Sequence, residues 1–311
     1  MKKITYSIVA PIYNEIDNLP ELHRRVSEVM NSSREPWELI LVDDGSTDGS
    51  TETIRELAKK DKHIRPVIFA RNFGHQVAIT AGWDFARGDA IIIIDADLQD
   101  PPEVVLELAK KWKEGYEVVY AVRSEREGET WFKKFTAAMF YRLIYSITDV
   151  KIPVDTGDFR LMDRKVVDVL KQMKERHRFP RGMSAWVGFR QVGVEYKRAA
   201  RVAGVTKYPF SKMLKLALNA ITGFSYFPLQ VATYFGFASA GVAILAIPIV
   251  AALRLAGSHF FEGQTTTLIS VLFLGGVQLI SLGILGEYIG RLYDEAKGRP
   301  LYIVREAPEE K

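Results

Sequence analysis

The amino-acid sequence predicts an α/β protein whose Rossmann-like, mostly parallel sheet is followed by interfacial amphipathic helices and a two-helix transmembrane hairpin. Between residues 5 and 121, short β-rich runs alternate with helical stretches, a pattern typical of a parallel sheet covered by helices. Residues 231–253 and 264–286 contain no charged side chain. Each segment is about 20 residues long, the length that a helix needs to cross a bilayer.

The alternating part of the chain predicts five strands and the four helices between them. The predicted strands are YSIVAPIY, WELILVDD, RPVIFA, AIIIIDAD and EVVYAV, and the predicted helices cover residues 19–30, 51–60, 76–86 and 103–114. Ligands of open α/β sheets bind beyond the carboxyl ends of the strands. The polar residues that follow these ends are Asn14, Asp43, Asp44, Asp95 and Asp97. A binding site is therefore expected at this edge of the sheet.

The rest of the chain predicts an attachment to a membrane. After residue 123 the pattern is helical and basic, and residues 211–227 repeat apolar side chains at helical spacing, as an interfacial helix does. The expected units are an α/β domain (1–210), a juxtamembrane amphipathic helix (211–230), a transmembrane hairpin (231–290) and a cytoplasmic tail (291–311). A pair of buried core helices is the alternative for the two apolar segments.

The distribution of basic residues predicts the orientation of this hairpin. Its outer ends are flanked by Lys207, Lys212, Lys215, Arg291, Lys297 and Arg299. The short connection between the two segments holds Arg254 as its only Lys or Arg. The positive-inside rule therefore places the α/β domain and both chain ends in the cytoplasm of a multi-pass membrane protein.

Composition limits the partners and the metal ligands that this protein can have. The net charge of +4 suits anionic partners such as phosphates or a lipid surface but is too small to indicate nucleic acid. The chain has no cysteine, which excludes disulfides, thiol nucleophiles and thiolate metal sites. Any metal must use oxygen or histidine ligands.

The segment IIIIDADLQDPPE gives the sharpest local signal. It is a buried strand that ends in Asp95 and Asp97, two carboxylates one residue apart, with Gln99 close behind. Mg²⁺ and Mn²⁺ prefer such oxygen ligands, with phosphate oxygens completing the shell. A solvated strand end is the alternative explanation of the motif.

The segment VDDGSTDGS also follows a strand. An Asp here can accept hydrogen bonds from a ribose or a uracil edge, and the glycines permit a tight turn. A calcium loop counted from Asp44 fails, because Arg55 stands where the bidentate Glu belongs. A plain turn that caps the next helix remains an alternative. No GxGxxG or Walker loop follows any strand.

Six segments in this order resemble the inverting GT-A glycosyltransferases that act on polyisoprenyl phosphates, a group that includes dolichol phosphate mannose synthases and bactoprenol glucosyltransferases of the GtrB type. The segments are PIYNE, VDDGSTDGS, RNFGHQVAITAG, DADLQDPPE, TGDFRLMDR and RFPRGMSAW. The resemblance covers almost the whole chain, and the paired C-terminal spans look like the bactoprenol branch. Because no QxxRW-like sequence follows, the resemblance implies transfer of a single sugar.

The resemblance also implies the roles of individual residues. Those implied for nucleotide-sugar binding are Pro11, Tyr13, Glu15, Val42, Asp44, Asp95, Ala96, Asp97, Arg123, Arg201 and Lys207. Those implied for a Mg²⁺ or Mn²⁺ cofactor are Asp95, Asp97 and Gln99. Arg123 matches the basic residue of the family's TR motif, although Val122 precedes it here.

The catalytic residues implied are Asp97 and Asp158, which stands where related enzymes keep a base, with Asp155 as the nearby alternative. A phosphate monoester has a second pKa near ~6, so an acceptor phosphate is mostly ionised at neutral pH and positioning should outweigh proton removal. The candidates for holding that phosphate are Lys133, Lys134, Arg160 and Arg181. We interpret His75 as a hydrogen-bonding helix cap rather than a base or ligand. Trp186 and Phe189 are expected to pack in the core, with an aromatic platform under the acceptor as the alternative.

The resemblance implies a hexosyltransferase of the inner membrane that moves one sugar from a nucleotide diphosphate, with UDP-glucose as first choice, to undecaprenyl phosphate. Donor alternatives are GDP-mannose, UDP-N-acetylglucosamine and a UDP-aminoarabinose derivative. A lipid-phosphate-binding membrane scaffold with a degenerate transferase domain is the non-enzyme alternative. Homo-oligomerisation through the membrane and juxtamembrane helices is left open.

Overall fold

The computed structural model describes residues 3–124, 153, 156–197, 222–223, 225–256 and 264–308. The strands of this part are β1 (Tyr6–Ile12), β2 (Trp37–Asp43), β3 (Ile64–Phe69), β4 (Ala90–Ile93), β5 (Val118–Arg123), β6 (Thr156–Asp163), β7 (Gln191–Tyr196) and β8 (Val304–Glu306). They form one eight-stranded sheet in the order β7-β5-β6-β4-β1-β2-β3-β8.

The helices of the described part surround this sheet or extend from it. They are α1 (Leu19–Ser32), α2 (Ser50–Lys60), α3 (His75–Phe85), α4 (Val104–Lys113), α5 (Arg164–Gln172), α6 (Pro180–Trp186), α7 (Phe227–Leu255) and α8 (Gln264–Ala296). Each of the first five strands and first four helices lies within one or two residues of its prediction, except that β4 ends earlier, at Ile93. The predicted α/β class is confirmed.

The sheet is parallel at its centre because strands alternate with crossover helices there. β3, β2, β1 and β4 are parallel neighbours, and every residue of β1 and β2 is buried. Apolar side chains of α1, α2 and α4 cover one face of the sheet, while α3, α5 and α6 cover the other. The carboxyl ends of the parallel strands therefore open at one common edge.

β6 interrupts the parallel order, since it runs antiparallel between β4 and β5. Its register pairs Ile93, the last residue of β4, with Arg160. Extending that register by two residues places Asp158 opposite Asp95. This antiparallel insertion brings a carboxylate from a distant part of the chain to the edge where β4 ends.

The two apolar helices are long enough to cross a membrane over Phe227–Leu253 (27 residues) and Ile269–Ala296 (28 residues), and within the described residues the most apolar stretch of each contains no buried side chain. Buried core helices are thereby excluded for these segments. Most of the predicted juxtamembrane helix, residues 211–221, lies outside the described residues. The 291–311 region assigned to a tail contains the end of α8 and the strand β8, which pairs antiparallel with β3.

Candidate active site

The turn after β4 presents oxygen ligands in a row. Its partly exposed residues are Asp95, Asp97 and Gln99, which alternate with the buried Ala96, Leu98 and Asp100. Leu98 has a φ of +57°, a left-handed conformation that few non-glycine residues adopt. The backbone N–H of Gln99 donates to Oδ1 of Asp97 at 3.1 Å. The turn therefore directs two carboxylates and an amide out of the same edge of the sheet.

These side chains fit a hard divalent cation. Oδ1 of Asp95 is buried and accepts no hydrogen bond among the described residues. Burial raises the pKa of Asp95 to about 6, His75 opposes the rise, and the nearby carboxylates add to it. A buried carboxylate oxygen of this kind gains strongly from a cation. Across the described ranges no group of three or more His, Asp or Glu side chains forms a ready cage, so the remaining ligand positions fall to other oxygens.

Asp158 lies beside this turn in a cluster of charges. Nε of Arg181 donates to its Oδ1 at 2.8 Å and Nη2 to its Oδ2 at 3.2 Å. Nε2 of His75 lies 3.4 Å from Oδ2. Burial alone would raise the pKa of Asp158, but Arg181 and His75 outweigh it and hold the pKa well below the ordinary range. Asp158 is therefore a persistent anion whose two oxygens already face cationic groups.

His75 does not act as a helix cap, and that interpretation is wrong. It is the first residue of α3, the N-cap position belongs to Gly74, and no side chain of the described residues caps this helix. Instead Nε2 lies 3.6 Å from Asp95 and 3.4 Å from Asp158, so the imidazole bridges the two carboxylates. Burial opposes the charged form, yet Asp158 and Asp95 together raise the pKa of His75 to about 9. The imidazole is therefore a cation at neutral pH.

Arg160 lies beneath this cluster. Its side chain is 3% exposed, with Nη2 donating to the carbonyl of Gly157 at 2.9 Å and Nη1 to the hydroxyl of Ser184. Burial lowers its pKa to about 10. Its hydrogen bonds connect the start of β6 with α6. Its role in holding an acceptor phosphate stays a prediction.

The core position predicted for Trp186 is wrong, because its side chain is 60% exposed. Trp186 ends α6, and residue 186 lies outside the buried face of this helix, which consists of Pro180, Gly182, Met183 and Ser184. Phe189 does pack against the apolar cluster under α3 and α5. The exposed indole leaves the aromatic-platform alternative as a prediction.

The predicted nucleoside residues surround the ends of β1 and β2. Pro11 and Val42 are opposite each other in the register, and Tyr13 beyond them is exposed. Asp44 is buried and turns inward, where its carboxylate accepts the backbone N–H groups of Phe73 at 2.6 Å and Gly74 at 2.9 Å. Burial raises its pKa to about 6 against these hydrogen bonds. Asp44 thus fixes the loop that delivers His75.

Two further carboxylates complete the surroundings of this edge. Asp43 accepts the backbone N–H of Ser46 at 2.9 Å and the hydroxyl of Thr51, which closes the turn after β2. Asp100 accepts the hydroxyl of Tyr196, and Nε of Arg123 contacts that hydroxyl at 3.4 Å. Arg123 is thereby held at the same edge as the acidic turn.

This arrangement can be compared with known proteins. Residues 7–170 match the model of glycosyl transferase family 2. The chain belongs to that family. It is 54% identical to the uncharacterized glycosyltransferase YkcC of Bacillus subtilis, over 98% of this chain and 95% of the relative. It is 44% identical to the SfII prophage-derived bactoprenol glucosyl transferase of Shigella flexneri, over 97% of each chain. A more distant solved structure, mannosyltransferase PcManGT from Pyrobaculum calidifontis in complex with GDP-Man and Mn²⁺, is 17% identical over 93% of this chain and 88% of its own, with a TM-score of 0.47.

The family 2 match confirms that the chain is a glycosyltransferase, and the 44% identical relative confirms the resemblance to bactoprenol glucosyltransferases. Of the predicted site residues, the structure brings together Asp95, Asp158 and Arg181. Five others lie outside the described residues and stay predictions: Lys133, Lys134, Asp155, Arg201 and Lys207. The contribution of His75 was underestimated, although its place after RNFG at the start of a helix was visible in the sequence.

Gly45 lies where the loop after β2 closely approaches the loop after β3. Gly45 has a φ of +70°, and a Cβ there would lie 2.6 Å from the backbone of Arg71 and Asn72. We expect Gly45→Ala to lower the free energy of unfolding by about 1–3 kcal/mol, because backbone atoms cannot yield as a flexible side chain can. Thermal unfolding in detergent measures this.

Gly49→Ala is the matched control for this prediction. Gly49 also has a positive φ, +98°, but a Cβ there would meet the end of a flexible side chain, Cδ1 of Ile16, at 3.0 Å. The control should be the milder substitution. Equal unfolding temperatures for the two variants would contradict the close approach of the loops after β2 and β3.

Proposed function

We propose that this glycosyltransferase moves a single hexose from a nucleotide diphosphate sugar, UDP-glucose by first choice, to undecaprenyl phosphate with inversion at the sugar. The observation that carries the proposal is the meeting of Asp95 and Asp97 with the His75, Asp158 and Arg181 cluster at one edge of the sheet. In this proposal a metal–diphosphate binds at the acidic turn, and a second phosphate binds next to it beside the cationic groups of Arg181 and His75. The bactoprenol glucosyl transferase relative supports a polyisoprenyl phosphate as the acceptor.

The donor half of the reaction requires the charge of the leaving diphosphate to be met. Asp95, Asp97 and Gln99 would hold Mg²⁺ or Mn²⁺, which supplies this charge stabilisation when bound. Arg123, held by Tyr196 at the same edge, adds a fixed positive charge beside the acidic turn. The residues implied to close over the diphosphate, Arg201 and Lys207, belong to the same proposal.

The acceptor half depends on positioning rather than on a base. Both oxygens of Asp158 face Arg181 and His75, and its pKa is well below the ordinary range, so it is a poor proton acceptor near neutral pH. An acceptor phosphate with a second pKa near ~6 already carries a nucleophilic oxygen. Asp158 instead orients the cationic groups of Arg181 and His75 beside the acidic turn, where they would attract that phosphate.

The two candidate spans support a membrane location for the reaction. By the positive-inside rule, the basic flanks support a catalytic domain and chain ends on the cytoplasmic side of an inner membrane. In that arrangement the donor would approach from the aqueous phase and the acceptor phosphate would lie at the level of the lipid headgroups.

A donor panel tests the proposal. Detergent-solubilised protein is incubated with undecaprenyl phosphate and labelled UDP-glucose, GDP-mannose, UDP-N-acetylglucosamine or a UDP-aminoarabinose derivative. We expect labelled lipid with UDP-glucose above all. Labelled lipid with another donor would change the assigned sugar but support the assigned reaction. Sugar transfer only to soluble acceptors would contradict the assignment of a lipid acceptor.

Removal of divalent metal is expected to abolish transfer. EDTA should stop the reaction, and Mg²⁺ or Mn²⁺ in excess should restore it, because oxygen ligands without cysteine suit this class of cation. The measurement is the initial rate of lipid labelling. Full activity in EDTA, after dialysis of the protein against chelator, would refute the metal assignment.

A further inference from the structure

After the hairpin, the chain returns to the catalytic domain. Residues 294–306, which we call the return segment, run from the end of α8 to β8. β8 pairs with β3 through Ile68 opposite Glu306 and Phe69 opposite Val304. Just before it, the backbone N–H of Ala70 donates to the carbonyl of Ile303 at 2.9 Å. The end of the chain thus forms the outermost strand of the catalytic sheet.

Tyr302 anchors this strand. Its ring stacks on that of Phe69, with centroids 5.1 Å apart and planes 16° from parallel. Its hydroxyl donates to Oδ2 of Asp84 at 2.7 Å. Arg55 also pairs with Glu306, at 2.5 Å, but exposed ion pairs contribute little to stability. Strand pairing and the stacked ring therefore hold the return segment in place.

A second attachment lies where α8 emerges from its candidate span. The backbone N–H of Arg176 donates to Oε1 of Glu295 at 2.7 Å, and its Nη1 donates to the carbonyl of Arg299 at 2.5 Å. Nε2 of His177 lies 3.4 Å from Oδ2 of Asp294. The loop before α6 is thereby bound directly to the end of the hairpin.

The two attachments occur beside the segments that build the acceptor cluster. β3, which pairs with β8, runs into the loop that carries His75, and the loop of Arg176 runs into α6, which carries Arg181. Both groups converge on Asp158. The return segment therefore connects the end of α8 with the two segments that position the cluster.

We propose that the return segment fixes the height and tilt of the active site above the bilayer, so that the Asp158 cluster meets a phosphate whose lipid chain remains in the membrane. This inference rests on the proposed function. The two attachments tie the end of α8 to β3 and to the loop before α6, and small misplacements of reacting groups are costly. Tyr302 is on this view a positioning residue for a membrane-bound acceptor.

The test compares two acceptors for one variant. Full-length wild type and Tyr302→Ala are reconstituted in phosphatidylethanolamine and phosphatidylglycerol vesicles and assayed with undecaprenyl phosphate and with a water-soluble phosphate of two isoprene units. We expect kcat/KM for the long acceptor to fall about tenfold, well within the roughly hundredfold cost of a 1 Å misplacement, while the short acceptor changes less than about twofold. Equal losses with both acceptors, or no loss with either, would overturn the proposal.

Two further variants separate positioning from folding. Tyr302→Phe keeps the stacked ring and should retain most of the long-acceptor activity. The chain has no cysteine, so Ile68→Cys with Glu306→Cys can form a single disulfide across β3 and β8. Oxidation of that pair in the Tyr302→Ala background should restore long-acceptor transfer. A disulfide between two chains instead of within one would contradict the proposal, and wild-type failure with both acceptors would count against the proposed function itself.

Discussion

Replacing Asp97 with asparagine is expected to abolish sugar transfer while leaving the fold intact. The substitution keeps the shape of the side chain but removes one negative charge from the acidic turn after β4. Loss of one preorganised electrostatic group typically costs roughly 10²–10³ in rate, and a metal-binding carboxylate should lie at or beyond that range. Asp97 is partly exposed, so water can solvate the new amide and the groups around it.

The measurement is the rate of lipid labelling with Mg²⁺ or Mn²⁺ added, alongside thermal unfolding. Asp89→Asn is the matched control, because it makes the same change at the opposite end of the same strand, where Asp89 pairs with the exposed Lys3 at 2.8 Å. The control should transfer sugar normally. Wild-type rates for Asp97→Asn at saturating metal would remove Asp97 from the proposed metal site.

The second large effect concerns Asp158→Asn. Its loss should slow transfer on the order of 10²-fold, because Arg181 and His75 lose the anion that orients them. The remaining activity should still fall as pH drops through the ionisation of the acceptor phosphate near ~6. Because the pKa of Asp158 is well below its ordinary value, this carboxylate is already ionised at the pH where the acceptor phosphate titrates. Asp158 therefore does not contribute to the acid limb of the pH–rate profile at that pH.

Single-turnover transfer measured against pH distinguishes this account from base catalysis. An obligatory general base would contribute on the order of 10²–10⁴ in rate, and its removal would also erase the acid limb. Binding of donor and acceptor is measured separately, so that a misfolded variant is not mistaken for one with impaired chemistry. Disappearance of the acid limb in Asp158→Asn alone would refute positioning by Asp158.

The sequence predicted the part of the fold that depends on local periodicity. Four strand–helix units follow directly from alternating β-rich and helical runs, and the polar residues after β1, β2 and β4 indicated the correct edge of the sheet. The place of TGDFRLMD as an antiparallel strand between β4 and β5 was not predictable in this way. It depends on pairing between segments far apart in the chain, and that pairing brings Asp158 to the edge where β4 ends.

The role of His75 was missed for a similar reason. At the start of a helix, local preferences favour a cap, but the positions of Asp95 and Asp158 decide where the imidazole points. Trp186 shows the converse error, since an apolar side chain does not enter the core when it falls outside the buried face of a short helix. Both outcomes depend on tertiary neighbours that periodicity does not contain.

The position of β8 also sets an order of events during biosynthesis. Its partner β3 leaves the ribosome before both apolar helices, whereas β8 leaves it after them. Until then β3 is an unpaired edge, the kind of strand that recruits other chains. Because β8 follows the hairpin in the chain, the catalytic sheet can be completed only after the hairpin has been synthesised. Pairing between such distant segments is also slow. A chain truncated before Val304 would carry that open edge permanently and should be prone to aggregation.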